Sequence, residues 1–285
     1  MRILDGIASL ADQYDGFILD IWGVVHDGRS PYPGVIDALA RLKAAGKKVA
    51  FLSNAPRRGW FVEKQLAAMG VTGDLHDGAM TSGEITWINL RDRPDAFFQS
   101  LGDKAVHIGP ERDHSTIETL PITLVSDPAE ASFVLNTGPD PDLPADVGSH
   151  EAVLVACAAQ KLPMVCVNPD REVMVAGQKL ICAGALADRY MALGGTVREI
   201  GKPDPAAYPY ALGLLGIEDR SKVLAIGDSP RTDLAGAQAA GIDVLWALTG
   251  LAAEAHGDAP ASDTLVAVAK AAGVSPIAAL SGLRW

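Results

Sequence analysis

The feature that most constrains this chain is a repeated alternation of short apolar runs with helix-patterned segments. FILDIW (Phe17 to Trp22) is an apolar run interrupted by one acid. A polar loop leads to VIDALARLKAAG, with Val35, Ile36, Leu39 and Leu42 at helical spacing and Gly46 just past the end. VAFLS (Val49 to Ser53) is the next strand-like run, and a helical pattern through Phe61, Val62, Leu66 and Met69 stops at Gly70. Strand, helix, strand, helix at these lengths predicts βαβ units, a parallel sheet and right-handed crossovers. The same grammar returns late in the chain, in AAYPYALGLLG, VLAIG, DLAGAQAAG and IDVLWAL.

The middle reads differently. Residues 84–195 hold their own strand-like runs (KAVHIG, ASFVLNTG, PMVCVN) and helices, with a Pro/Asp/Gly-rich break at TGPDPDLPADVG. The expected organisation is therefore a core made of 1–83 and 196–285, with a second α/β domain, 84–195, inserted into it. No internal repeat and no low-complexity tract is present.

Composition narrows the partners. With 48% apolar and 21% charged residues the chain can bury a core, which excludes wholesale disorder. Lys plus Arg number 24 against 35 acids, a net charge of −11, which argues against nucleic acid or an anionic membrane surface as a partner. Cys157, Cys166 and Cys182 have no CxxC spacing, so structural zinc and a disulfide framework are not expected and a reducing cytoplasm is the natural setting. The first residues, MRILDGIASLADQYDG, do not resemble a signal peptide, and an apolar run such as Val153 to Ala159 is far too short to cross a bilayer. A soluble cytoplasmic protein is the expectation.

In an open parallel sheet, ligands bind beyond the carboxyl ends of the strands. Asp20 ends FILD, Ser53 and Asn54 end VAFLSN, Lys202 follows TVREIG, Asp228 follows VLAIG, and Asp233 lies five residues on. Each has an ordinary alternative. Asp20, Ser53 and Asn54 are turn or cap types, Lys202 is an everyday surface residue, and Asp228 and Asp233 could cap the helix that follows them. Taken together in this order they have a chemical logic. A carboxylate can attack phosphorus and form an aspartyl-phosphate. Carboxylate and phosphate repel unless a divalent cation lies between them, and hard oxygens such as those of Asp20 and Asp228 suit Mg²⁺. Lys202 and the Ser53 hydroxyl would orient and neutralise the transferring group.

With DIWGVVHDG (Asp20 to Gly28), FLSNAP (Phe51 to Pro56), GKPDP (Gly201 to Pro205) and IGDSPRTD (Ile226 to Asp233), the chain resembles class IIA of the haloacid dehalogenase superfamily, the nitrophenylphosphatase-like and sugar-phosphatase-like branch. NPD (Asn168 to Asp170) resembles a segment of that class's cap, and LTG (Leu248 to Gly250) its late core strand. The resemblance implies a Rossmann-like, doubly wound parallel-sheet core with an inserted α/β cap, and a small phosphorylated metabolite as substrate. It implies Asp20 as nucleophile, Ser53, Asn54 and Lys202 as phosphate ligands, and Mg²⁺ held by Asp20, Asp228, Asp233 and the backbone carbonyl of Trp22. Asn168, Asp170 and their neighbour Arg171 would face the site and help choose substrates, with Trp22 and His26 shaping the pocket. Caps of this class often contribute a homodimer surface.

One position departs from that pattern. The family's first motif carries a second aspartate two residues after the nucleophile, the general acid–base, and here that residue is Trp22. An indole N–H donates a hydrogen bond but is no usable acid, and losing general acid–base catalysis typically forfeits about 10²–10⁴ in rate. Three accounts stay open: His26 or Asp27 supplies the proton; the substrate has a leaving group that needs none; or the protein binds a phosphorylated metabolite as a sensor without turnover. Neighbouring classes fit less well. A phospho-receiver domain is too small, a dinucleotide-dependent dehydrogenase would need a G-x-G-x-x-G after a strand, and a dehalogenase does not need the metal that Asp228 and Asp233 suggest.

Overall fold

The computed structural model describes residues 1–175, 178–257 and 260–285. Two parallel sheets organise it. The larger has seven strands: β1 (Ile3–Leu4), β2 (Gly16–Leu19), β3 (Lys48–Ser53), β4 (Ala79–Thr81) and, from the far end of the chain, three more. The second sheet and a hairpin are built by β5 (Lys104–Ile108), β6 (Thr123–Leu124), β7 (Phe133–Asn136), β8 (Met164–Cys166), β9 (Glu172–Val175), β10 (Gln178–Ile181) and β11 (Val197–Glu199). The chain then returns with β12 (Val223–Gly227), β13 (Asp243–Ala247) and β14 (Ala278–Leu280). The strand orders are β1-β14-β13-β12-β2-β3-β4 and β11-β8-β7-β5-β6, and β9 pairs antiparallel with β10. Every neighbour in the two large sheets is parallel.

The larger sheet forms because its strands are apolar on both faces, as a sheet covered by helices on both sides requires. All four residues of β2 and all five of β12 are buried. The crossover helix Val35–Ala44 covers one face through Val35, Ala38, Leu39 and Leu42. Ile36, grouped with them by spacing, instead stands 42% exposed, because it falls one step outside the buried stripe. The second sheet takes its edge strand β11 from just past residue 195, and its own buried cluster includes Val106, Val134, Leu154 and Tyr190.

The chain order reverses between β2 and β12. From β2 the chain builds outward through β3 and β4, and after the second sheet it returns to the other side of β2. That makes the gap beyond the ends of β2 and β12 a topological switch point, where such sheets open a crevice. Among the described residues no helix is long and apolar enough to cross a membrane.

Candidate active site

Asp20 is the first residue past β2, and its backbone N–H continues the ladder by donating to Ile226 O (2.9 Å). Asp228 is the first residue past β12, the adjacent strand, so register alone sets the two carboxylates side by side. A π-type turn, Pro230–Leu234, carries Asp233 back to the same point. Tyr208 Oη donates to Asp233 O (3.1 Å), and the Ser229 N–H donates to Asp233 Oδ2 (3.1 Å), which fixes this third carboxylate. Asp20, Asp228 and Asp233 each offer an oxygen within 4.8 Å of the others.

Lys202 completes the cluster. Its Nζ donates to Asp20 Oδ1 at 2.7 Å and to Asp233 Oδ1 at 2.5 Å, with its side chain only 4% exposed. Burial opposes the ammonium, but Asp20 and Asp233 outweigh it and hold the lysine charged well above its ordinary range. The carboxylates are under the opposite pressure. Burial, reinforced by Asp233 and relieved in part by Lys202, raises Asp20 to about 7. Asp228 is pushed well above its ordinary value by burial and then by Asp20 and Asp233. Three carboxylates, Asp228 and Asp233 buried and Asp20 nearly so, therefore face one ammonium, an excess of negative charge that a divalent cation would relieve.

Asp228 sits in a fitted cradle. Its Oδ2 accepts from the Leu251 N–H (2.7 Å), and its carbonyl accepts from the buried indole of Trp246 (3.0 Å). A Cβ on either Gly23 or Gly250 would overlap that same Oδ2, and both glycines adopt positive φ (+83° and +56°). The late LTG segment contributes a clasp, since the Thr249 hydroxyl donates to Gly23 O.

Ser53 and Asn54 line the cleft beside these groups. The Ser53 hydroxyl accepts from the Ala55 N–H (3.2 Å). Asn54 grips the backbone of Lys202 on both sides, Oδ1 accepting from Lys202 N (2.8 Å) and Nδ2 donating to Lys202 O (2.9 Å). The same Nδ2 also donates to Asp170 Oδ1 (2.9 Å). The NPD segment thus reaches the floor of the cleft, with Asn168 Oδ1 accepting from Asp170 N (3.0 Å). Burial raises Asp170 to about 6, against the lowering effects of Asn54 and Lys202. Arg171 turns aside to pair with Asp188 (2.6 Å) and Glu199 (2.8 Å).

Trp22 lines the cleft, while His26 does not. The imidazole is 5% exposed, packs edge-on against Trp22 and accepts from Gly28 N at Nδ1 (2.9 Å). This corrects the expectation that His26 helps select substrate, because the Trp22 ring occupies that frontage instead. Burial lowers the His26 pKa. Asp27 is held low by the Ser30 and Arg29 backbone N–H groups that its Oδ1 accepts from (2.9 and 2.8 Å).

The cleft encloses about 1380 Å³, and the second sheet forms its far wall. Pro110, Thr137, Gly138 and Asn168 follow β5, β7 and β8, so the carboxyl edges of both parallel sheets border one cavity. Arg57, Arg112 and Asp113 also line it. Sequence reasoning passed over all three. The signal available was the ArgArg pair directly after SNAP, which reads as ordinary surface charge.

Residues 17–122 match the family described as haloacid dehalogenase-like hydrolase, and 199–271 a second model described as HAD-hydrolase-like. A crystal structure of a haloacid dehalogenase-like hydrolase from Brucella suis superposes with a TM-score of 0.83 at 30% identity, covering 98% of this chain and 99% of that one. The D-glycerol 3-phosphate phosphatase of Mycobacterium tuberculosis is 25% identical over 264 residues, 85% of this chain and 65% of its own length. The 4-nitrophenylphosphatase of Schizosaccharomyces pombe is 26% identical over 266 residues, 85% of this chain and 86% of its own. The p-nitrophenyl phosphatase of Archaeoglobus fulgidus shares the fold, with a TM-score of 0.73 at 22% identity over 95% of this chain and 97% of that one.

Proposed function

The chain belongs to the haloacid dehalogenase-like hydrolases, and from that premise we propose that it is a Mg²⁺-dependent phosphohydrolase of small phosphorylated metabolites. The observation carrying this reading is the convergence of Asp20, Asp228 and Asp233 around Lys202 Nζ at the switch point of the larger sheet. The donor set suits Mg²⁺, since the carboxylates are hard, close enough to share an ion, and few enough to leave positions for water. Asp20, Asp228, Asp233 and the carbonyl of Trp22 would hold it. Bound there, the ion would offset repulsion between carboxylates and phosphate and stabilise charge on the transferring group.

In this mechanism an Asp20 oxygen attacks phosphorus, the bond to the leaving oxygen breaks, and water then hydrolyses the acyl phosphate to regenerate Asp20 and release inorganic phosphate. Lys202 and the Ser53 hydroxyl bind the phosphoryl oxygens. Asn54 fixes the Lys202 backbone, which aims the ammonium. The leaving oxygen departs toward Trp22, whose indole N–H could solvate it but not protonate it. The enzyme should therefore favour esters whose leaving group needs no proton, such as aryl or acyl phosphates. Residues 84–195 would act as the cap, with Asn168 and Asp170 on its site-facing edge.

The test is release of phosphate from an aryl phosphate by the purified protein, lost on chelation and restored by Mg²⁺. Asp20→Asn should reduce it to background, and equal rates for the two proteins across a broad ester panel would overturn the hydrolase. Trp22 favours one alternative, a metabolite sensor that keeps the metal and phosphate sites without turnover. That reading predicts Mg²⁺-dependent thermal stabilisation by phosphate esters with no phosphate released.

A further inference from the structure

Opposite the carboxylate cluster, two guanidinium groups share one buried carboxylate. Arg57 Nε donates to Asp113 Oδ1 (3.1 Å), and Arg112 Nε lies 3.7 Å from the same oxygen. Asp113 is 1% exposed, Arg57 16% and Arg112 60%. Arg57 comes from the loop that follows Ser53 and Asn54, whereas Arg112 and Asp113 sit just past the end of β5 on the far wall.

The arrangement is rigid where it needs to be. The Thr81 hydroxyl donates to Arg57 O, and the Arg57 backbone packs directly on Gly83, where any Cβ would overlap it. Arg57 Nη1 donates to Gln65 Oε1 (3.3 Å), and its guanidinium lies 5.8 Å from the Phe61 ring centroid. Arg57 Nη2 and the Arg112 side chain have no hydrogen-bond partner among the described residues. Two positive charges against one negative charge leave a surplus cation facing the cavity. Burial and then Arg112's like charge depress the Arg57 guanidinium, with Asp113 acting in the opposite sense, which marks the site as one that gains from a further anion.

We propose that Arg57 and Arg112 form an anion subsite, so that the preferred substrates are phosphate monoesters bearing a second anionic group, carboxylate or phosphate, at the end remote from the reacting phosphorus. The inference rests on the phosphohydrolase reading, since it places the reacting phosphate at Asp20. Guanidinium forks suit both oxyanions through paired, charge-assisted hydrogen bonds. Arg57 lies only four positions along the chain from Ser53, so their Cα atoms lie at most roughly 14 Å apart, a separation suited to a metabolite rather than a polymer.

The experiment compares monophosphates of linear hydroxy acids with their matched primary amides, alongside the corresponding diol bisphosphates, in Mg²⁺. Selectivity is read as kcat/KM on the wild type and as Kd on Asp20→Asn. We expect the carboxylate or the bisphosphate to exceed the amide by about tenfold or more, and whichever does so identifies the anion. Arg112→Gln should collapse that ratio toward one, and Arg112→Lys should keep part of it. Arg57→Gln should also collapse it, and because Arg112 is exposed the Arg112 variants decide the matter should Arg57→Gln fail to fold. A wild-type ratio near one in both readouts, or a ratio unchanged in Arg112→Gln, overturns the subsite. Absence of Asp20-dependent turnover on every ester overturns the phosphohydrolase instead, and the Kd ratio still decides the subsite.

Discussion

The Trp22 and His26 rings meet edge-on, with centroids 5.0 Å apart and planes 72° from each other, so the indole is braced where the acid–base carboxyl is expected. Removing it should reopen that position. Trp22→Asp is predicted to raise kcat on alkyl phosphates by up to about 10²-fold, toward the usual worth of a general acid. The gain on aryl phosphates should be small, since a phenolate leaves without help. An equal effect on both substrate classes would mean that protonation of the leaving group is not what Trp22 costs.

Lys202 is buried between two acids, so its loss leaves them unpaired. Lys202→Met should destabilise the metal-free protein by about 3 kcal/mol and abolish turnover. Urea denaturation in chelator and in Mg²⁺ checks the first part. Mg²⁺ is expected to recover some of the lost stability by neutralising the same carboxylates.

Gly23 has no room for a side chain, because a Cβ would overlap Asp228 Oδ2 and φ is +83°. Gly23→Ala is therefore predicted to weaken Mg²⁺ binding at least about tenfold, a modest displacement of one ligand being enough for that loss. Isothermal titration with Mg²⁺ measures it. Gly213→Ala is the control, since open space surrounds a Cβ there.

Asp170 gives a pH dependence of definite sign. Its folded pKa is raised to about 6 by burial, against about 3.9 for an unperturbed aspartate. The folded state binds this proton more tightly, so the stability contributed by Asp170 is fully present at low pH and is lost as pH climbs through that window. Asp170→Asn keeps an acceptor for Asn54 but cannot ionise. In chelator, the melting temperature of the variant relative to wild type should rise between about pH 4 and about pH 6 and then level off. A difference that stays flat with pH would contradict the buried, raised carboxylate.

The parts of this protein legible in its sequence are those fixed by local pattern. Asp20, Ser53 and Asp228 follow apolar strands, and a parallel sheet carries strand ends to one edge whatever the loops do. Ile36 shows where pattern alone misleads, since helical spacing cannot say how wide the buried stripe is. The family resemblance places His26 at the pocket, but a tight turn in which its Nδ1 accepts from Gly28 N packs the ring against the tryptophan. Arg57 and Asp113 were invisible because they are brought together by two sheets meeting, a contact with no sequence spacing of its own.

The chain leaves the larger sheet after β4 at Ser82 and leaves the second sheet after β11 through Gly201, and these two points touch, a Cβ on Gly201 overlapping both Ser82 Oγ and Asn54 Oδ1. That joint lies directly beside Lys202, whose backbone N–H donates to Asn54 Oδ1. Arg57 bonded to Asp113 and Asn54 bonded to Asp170 fasten the two sheets to each other across the same cleft. A substitution at this seam should therefore register in both sheets at once.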